Sequence, residues 1–145
     1  MAASANWPVI AAELAARKLA TQRRSADEAI APHTRVLLGD SMGEMFAYYA
    51  AADVALIGGS WLPFGGQNLI EACAVGTPVV GVFGPSDYAR ARPWGTVHRV
   101  VRVDTMMFAG ELRADYLARM DRALARITAQ QVTHAAEEVL RITTP

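Results

Sequence analysis

Residues 52–75 read ADVALIGGSWLPFGGQNLIEACAV, and the rest of the chain is organised around them. The first six of these residues form a largely apolar run, which predicts a strand. Two glycine pairs follow, and residues 67–75 have the apolar spacing of a helix. Glycines let the backbone approach a ligand closely, and the N–H groups at a helix start favour an anion such as phosphate. The stretch predicts a strand, a glycine-rich ligand loop and a helix, with Glu71 within reach of ligand hydroxyls.

The composition is that of one globular domain or of a fragment of a larger protein. The 145 residues are 52% hydrophobic, and 14 basic residues balance 14 acidic ones. This balance gives no indication of nucleic acid or an anionic membrane as partner. We interpret the basic cluster at residues 17–24 as a solvated helix end. The single cysteine, Cys73, favours a reducing compartment, and the sequence shows neither a membrane-spanning run nor a signal-peptide core.

Strands and helices alternate along the chain. We predict a single cytoplasmic domain over residues 1–145, with residues 1–6 disordered. Apolar runs and helical spacing predict strands at 35–39, 54–57, 79–83 and 98–103, helices at 7–20, 67–75, 112–124 and 128–140, and a loop at 21–33. A further helix follows residue 40, capped by Asp40 or Ser41 with Glu44 in its first turn, and its stripe of Met42, Met45, Phe46 and Tyr49 is predicted to be core.

This alternation predicts right-handed βαβ crossovers and an α/β fold. The expected architecture is a three-layer, Rossmann-like parallel sheet flanked by helices on both faces. In open sheets of this kind, ligands bind beyond the carboxyl ends of the strands. The loops at residues 39–44, 58–66 and 84–87 all fall at that edge, so we expect a binding site there.

Several strings resemble one family, the 3-deoxy-D-manno-octulosonic acid (Kdo) transferases. They are GDSMGEM at 39–45, YAAADV at 49–54, IGGS at 57–60 and GGQNLIE at 65–71, and the resemblance covers about residues 8–80. These enzymes transfer Kdo from CMP-Kdo to lipid A in the lipopolysaccharide assembly of Gram-negative bacteria. The family has the two-domain GT-B glycosyltransferase fold. The resemblance implies that this chain is the C-terminal, donor-nucleotide half, without the N-terminal domain.

The second half of the chain departs from that pattern. Residues 80–95, VGVFGPSDYARARPWG, resemble the heptosyltransferases, which are GT-B enzymes that use ADP-heptose. A chimera joined near residues 76–82, natural or engineered, explains both resemblances, and a diverged member of a single family is the alternative. Two other functions therefore stay open: a non-catalytic α/β scaffold, and an ADP-heptose-binding domain.

The resemblance also implies a set of donor-binding residues. Met42, Gly43 and Glu44 would lie near the base, and Glu71 would bind the ribose hydroxyls. Around the phosphate it places Gly59, Ser60, Gly65, Gly66, Gln67 and Asn68. Gly84, Pro85 and Ser86 either donate N–H groups to a phosphate or form a plain turn, and for Glu44 a capping role is the alternative.

The same reasoning predicts what the chain lacks. We expect no metal, because the acidic residues show no paired-ligand pattern, no cofactor besides the CMP-Kdo substrate, and no catalytic residue. The scattered His33, His98 and His134 do not have metal-ligand spacing. The acceptor site and catalytic base of GT-B enzymes belong largely to the N-terminal domain, so we expect no transfer by this chain alone. A half-enzyme would expose the wall that faces its missing partner, which makes self-association plausible.

Overall fold

The computed structural model describes residues 7–58, 68–84, 92–103 and 108–143. The chain divides into two compact units, Met1–Glu44 and Met45–Pro145, and the single domain stays a prediction.

The helices are α1 (Trp7–Ala16), α2 (Met45–Ala50), α3 (Ile70–Ala74), α4 (Arg113–Leu124) and α5 (Ala129–Thr143), and the strands are β1 (Thr21–Arg23), β2 (Val36–Leu38), β3 (Ala55–Ile57), β4 (Val79–Phe83) and β5 (His98–Arg102). Among the helices of these ranges, none is long and apolar enough to cross a membrane.

The first unit contains a strand that the sequence did not indicate. β1 pairs in parallel with β2, with Thr21 opposite Val36, so the predicted loop at residues 21–33 is wrong at its start. The strand is polar, and period-two apolar alternation was therefore absent. Its Gln22 side chain accepts a hydrogen bond from the Ala31 N–H at 2.8 Å and donates one to the Ala29 carbonyl at 3.2 Å. These bonds stabilise the connection between the two strands.

Helix α1 ends earlier than its composition predicts. The helix stops at Ala16, and Lys18 adopts a left-handed φ of 57°. The Lys18 N–H donates to the Ala15 carbonyl at 2.9 Å, and the Leu19 N–H donates to the Leu14 carbonyl at 3.0 Å. This pair of bonds is the Schellman arrangement, in which glycine is the usual residue at the left-handed position.

The second unit is built on β4, which pairs in parallel with β3 on one side and with β5 on the other. All five residues of β4 are buried. On one face, Val79 and Phe83 pack in a cluster with Ala72 of α3, and Tyr49 of α2 packs against it. On the other face, Val80 and Val82 pack on α5. Helices therefore cover both faces of a parallel sheet, which confirms the predicted α/β class and explains the apolar run of β4.

Two predicted helix signals form as expected. Gly76 ends α3 with a φ of 80°, and the N–H of Thr77 donates to the Ala72 carbonyl at 3.1 Å. Thr128 and Gln131 form the capping box at the start of α5. The Gln131 N–H donates to the Thr128 Oγ1 at 3.2 Å, and the Thr128 N–H donates to the Gln131 Oε1 at 2.8 Å.

The predicted apolar stripe around α2 is largely wrong. Met42 is 87% exposed, Met45 46% and Phe46 51%, and of the four only Tyr49 packs against the core. The helix is six residues long and begins at Met45, so Met42 lies outside it and Glu44 precedes its first turn. The predicted capping role of Asp40 is also absent, because its carboxylate binds Ser25 and Arg23.

Candidate functional site

The carboxyl ends of β3 and β4 lie at one edge of the sheet. The two strands are parallel, with Ile57 opposite Gly81, and they lead into Gly58 and Gly84. α3 connects β3 to β4, so it runs antiparallel to these strands. Its first residues therefore lie at the edge where β3 ends. The start of α3, with Asn68 and Glu71, therefore belongs to the end of the sheet at which Gly84 follows β4. A role of these residues in donor binding stays a prediction.

Asn68 shapes the start of α3. Its side-chain Oδ1 accepts a hydrogen bond from the Ile70 N–H at 3.0 Å. Asparagine side chains commonly bond the backbone two residues on, and this turn brings the chain into the helix. Because α3 has only five residues, its N-terminus is by itself too short to form a phosphate site.

Glu71 lies in the first turn of α3, close to Tyr49 of α2. Burial raises the pKa of the Tyr49 hydroxyl, and the Glu71 carboxylate raises it further. Thr77 also fixes this region, because its hydroxyl donates to the Tyr49 carbonyl at 2.7 Å. The tyrosine beside the glutamate was not predicted from sequence, since α2 and α3 meet only in the folded chain.

A groove of about 370 Å³ lies between α2 and β3. It ends at Gly58, where the glycine-rich loop begins, and two tyrosines form part of its wall. Its lining residues are Met45, Tyr48, Tyr49, Ala52, Ala55, Leu56, Ile57 and Gly58. Aromatic and apolar walls with few polar groups are typical of small-molecule sites.

Gly84 has a packing explanation of its own. A Cβ added to this residue would lie 2.8 Å from the Leu124 Cδ1 of α4. Real side chains do not tolerate so short a contact, so a glycine lets α4 pack on the end of β4. The structure thus favours a packing role for Gly84 and provides no direct indication of a phosphate contact.

In the first unit, the predicted base loop is anchored through Asp40. The Asp40 side chain is 1% exposed and forms an ion pair with Arg23 at 2.6 Å. The Ser25 hydroxyl donates to it at 2.7 Å, and the Ser25 N–H donates at 2.9 Å. The Ser25 hydrogen bonds, with the Arg23 guanidinium, lower the pKa of Asp40 to about 2. Asp40 is therefore a structural carboxylate, charged at neutral pH.

Glu44 anchors the other end of the same loop. Its Oε1 accepts from the Arg24 Nη2 at 2.9 Å, and its Oε2 accepts from the Ser41 hydroxyl. Arg24 also donates to Asp27 at 2.9 Å through Nη1, and its pKa is raised, mainly by these two bonds. The interpretation of residues 23–24 as a solvated helix end is therefore wrong, because Arg23 ends β1 and both arginines pair with carboxylates.

The predicted donor residues divide into three groups. Asn68, Glu71 and Gly84 belong to the second unit, whereas Met42, Gly43 and Glu44 belong to the first. Outside the described residues lie Gly59, Ser60, Gly65, Gly66, Gln67, Pro85 and Ser86. In the ranges that the structure describes, there is no group of three His, Cys, Asp or Glu side chains suited to a metal ion.

Comparison with curated proteins gives matches to Kdo transferases over about half of the chain. Over 71 residues, which are 48% of this chain, the sequence is 63% identical to the 3-deoxy-D-manno-octulosonic acid transferase of Bordetella pertussis. The identity is 42% over 75 residues to the enzyme of Haemophilus influenzae. These matches cover 17% and 18% of the relatives' length, so the chain spans less than a fifth of them. The resemblance to this family over half the chain is confirmed.

No protein-family model matches the chain. Among solved structures, the C-terminal CMP-Kdo binding domain of WaaA from Acinetobacter baumannii is similar at a TM-score of 0.45 and 23% identity, covering 88% of this chain and 64% of that one.

Proposed function

We propose that the chain binds CMP-Kdo as part of the donor-binding, C-terminal half of a Kdo transferase. The observation that carries this proposal is the 63% identity over 71 residues to the Bordetella pertussis transferase. Transfer of Kdo to lipid A, and a place at the cytoplasmic face of the membrane, are proposed for the whole enzyme. Self-association stays a prediction.

The resemblance implies a separate role for each group of residues around the nucleotide. A carboxylate suits a ribose because it accepts hydrogen bonds from two neighbouring hydroxyls, and Glu71 lies in the first turn of α3. Asn68 would hold the phosphate together with residues 65–67. The loop of Met42, Gly43 and Glu44 would contact the base.

The chain is not expected to transfer sugar by itself. In this family the other domain supplies the acceptor and the catalytic base, as the resemblance implies. Positioning and general-base catalysis together lower the barrier of such a reaction by roughly several kcal/mol. Incubation with CMP-Kdo and lipid A should therefore give no transferred Kdo from a preparation that binds CMP.

Titration with CMP and, separately, with ADP tests the proposal through the backbone amide shifts. Shifts with CMP that cluster at residues 39–44, 58–71 and 84–87 are expected. Glu71→Gln should raise the Kd for CMP about tenfold, because a charged acceptor is lost. Glu137→Gln, an exposed change on α5, is the matched control and should leave the Kd unchanged.

Two results would contradict the proposal. The same cluster of shifts with ADP alone would indicate a heptosyltransferase-type domain. A well-dispersed spectrum without shifts from either nucleotide would indicate a folded scaffold without a donor site.

A further inference from the structure

The turn that follows β1 is attached at two points to the loop predicted to contact the base. Asp40 binds Ser25 and Arg23 at one end of the loop, and Glu44 binds Arg24 at the other. Between these anchors lie Met42, 87% exposed, and Gly43, whose φ is 82°. The loop thus presents an exposed tip between two fixed ends.

Arg24 connects this loop to its own turn. One guanidinium nitrogen donates to Glu44 and another to Asp27, each at 2.9 Å. The planar fork of arginine holds two carboxylates in a fixed relation, which a lysine ammonium does less well. The Glu44 carboxylate is further held by the Ser41 hydroxyl, so both of its oxygens have partners within the unit.

We propose that Arg24 is a positioning residue for nucleotide binding. Through Glu44 it holds the loop at residues 39–44 in the conformation that accepts the base. The inference rests on the proposed function and adds to it a residue and a segment, 23–27, to which neither the sequence nor the comparisons assign a role. The affinity gained comes from a loop that is ordered before the ligand arrives, because its ordering is then not a cost of binding.

The test compares CMP affinity with thermal stability in Arg24→Gln, Arg24→Lys and Arg17→Gln. Arg17 follows α1 and pairs with the exposed Glu13 of that helix, so its variant controls for the loss of one positive charge. We expect Arg24→Gln to raise the Kd for CMP about fivefold to tenfold while its spectrum remains that of a folded protein. Arg24→Lys should raise the Kd less, and Arg17→Gln should leave it unchanged. The amide shifts of Met42 and Gly43 should change in Arg24→Gln before any ligand is added.

A cycle with Glu44→Gln separates positioning from direct contact. If Arg24 acts through Glu44, the double variant loses little more affinity than the weaker-binding single variant. Fully additive losses, or an unchanged Kd in Arg24→Gln while wild type binds CMP, would overturn the inference. Equal weakening by Arg17→Gln would also overturn it, as a general charge effect. Absence of CMP binding by wild type would contradict the proposed function itself, and the inference with it.

Discussion

The carboxylate of Asp40 links acidity to the stability of the first unit. Its pKa of about 2 in the folded chain lies below the usual value of about 3.9 for an unfolded aspartate. The unfolded chain therefore binds the proton more readily, and acid favours unfolding. The stabilisation is fully present above about pH 4 and is lost as the pH falls towards 2.

Thermal unfolding of Asp40→Asn between pH 2 and pH 6 checks this expectation. The variant should melt below wild type at pH 6, and the two Tm values should converge as the pH falls towards 2. Asp121→Asn, at an exposed position of α4, should track wild type throughout. A Tm difference that is constant with pH would show that Asp40 does not contribute through its charge.

At Gly84 it is the absence of a side chain that permits the local packing. Gly84→Ala places a methyl group 2.8 Å from the Leu124 Cδ1 and should lower the free energy of unfolding by about 1–3 kcal/mol. Chemical denaturation provides the measurement. With Leu124→Ala in the background the added cost should shrink, since the obstructing side chain is gone. An equal cost in both backgrounds would place the strain elsewhere.

At the scale of elements, the end of α1 carries an unfavourable residue. Lys18 has a φ of 57°, a conformation that costs a side-chain-bearing residue about 1 kcal/mol and costs glycine little. Lys18→Gly should stabilise the first unit by about 0.5–1 kcal/mol. Urea unfolding followed by the amide signals of α1 and β1 measures it. Lys18→Ala removes the charge and keeps the strain, so a similar gain from it would contradict the explanation.

The element boundaries show which signals are local. Gly76 and the Thr128–Gln131 capping box were predictable, because each works through bonds to residues at most five positions away. The strand β1 was not predictable, because a polar strand of three residues exists only through its pairing with β2. Similarly, the exposure of Phe46 depends on where α2 packs and not on its periodicity.

At the scale of the whole molecule, stability should be highest in β4. That strand is paired on both sides, and its residues are buried under helices on both faces. The helix α1 contrasts with it, since Val9 is 59% exposed and Ile10 38%. Local opening is easiest where burial and pairing are weakest.

Native-state hydrogen exchange tests this contrast. Amides of Val80–Val82 should exchange on the order of a hundredfold more slowly than those in the middle of α1, after correction for intrinsic rates. The amides of α5 serve as an intermediate reference, because Val139 is buried and Glu137 is exposed on the same helix. Equal protection in α1 and β4 would mean that the two units open together.

Sequence patterns predicted the α/β class, most of the element order, the helix signals at Gly76 and Thr128, and the resemblance to Kdo transferases. Apolar periodicity, caps and motif strings are short-range properties, so they can be identified in the sequence without the structure. The partners of Arg23 and Arg24 could be found only in the folded chain, because the carboxylates of Asp40 and Glu44 lie 17 and 20 residues away along the sequence. The tertiary structure also placed Tyr49 beside Glu71 and Leu124 against Gly84, contacts that depend on how separate elements pack.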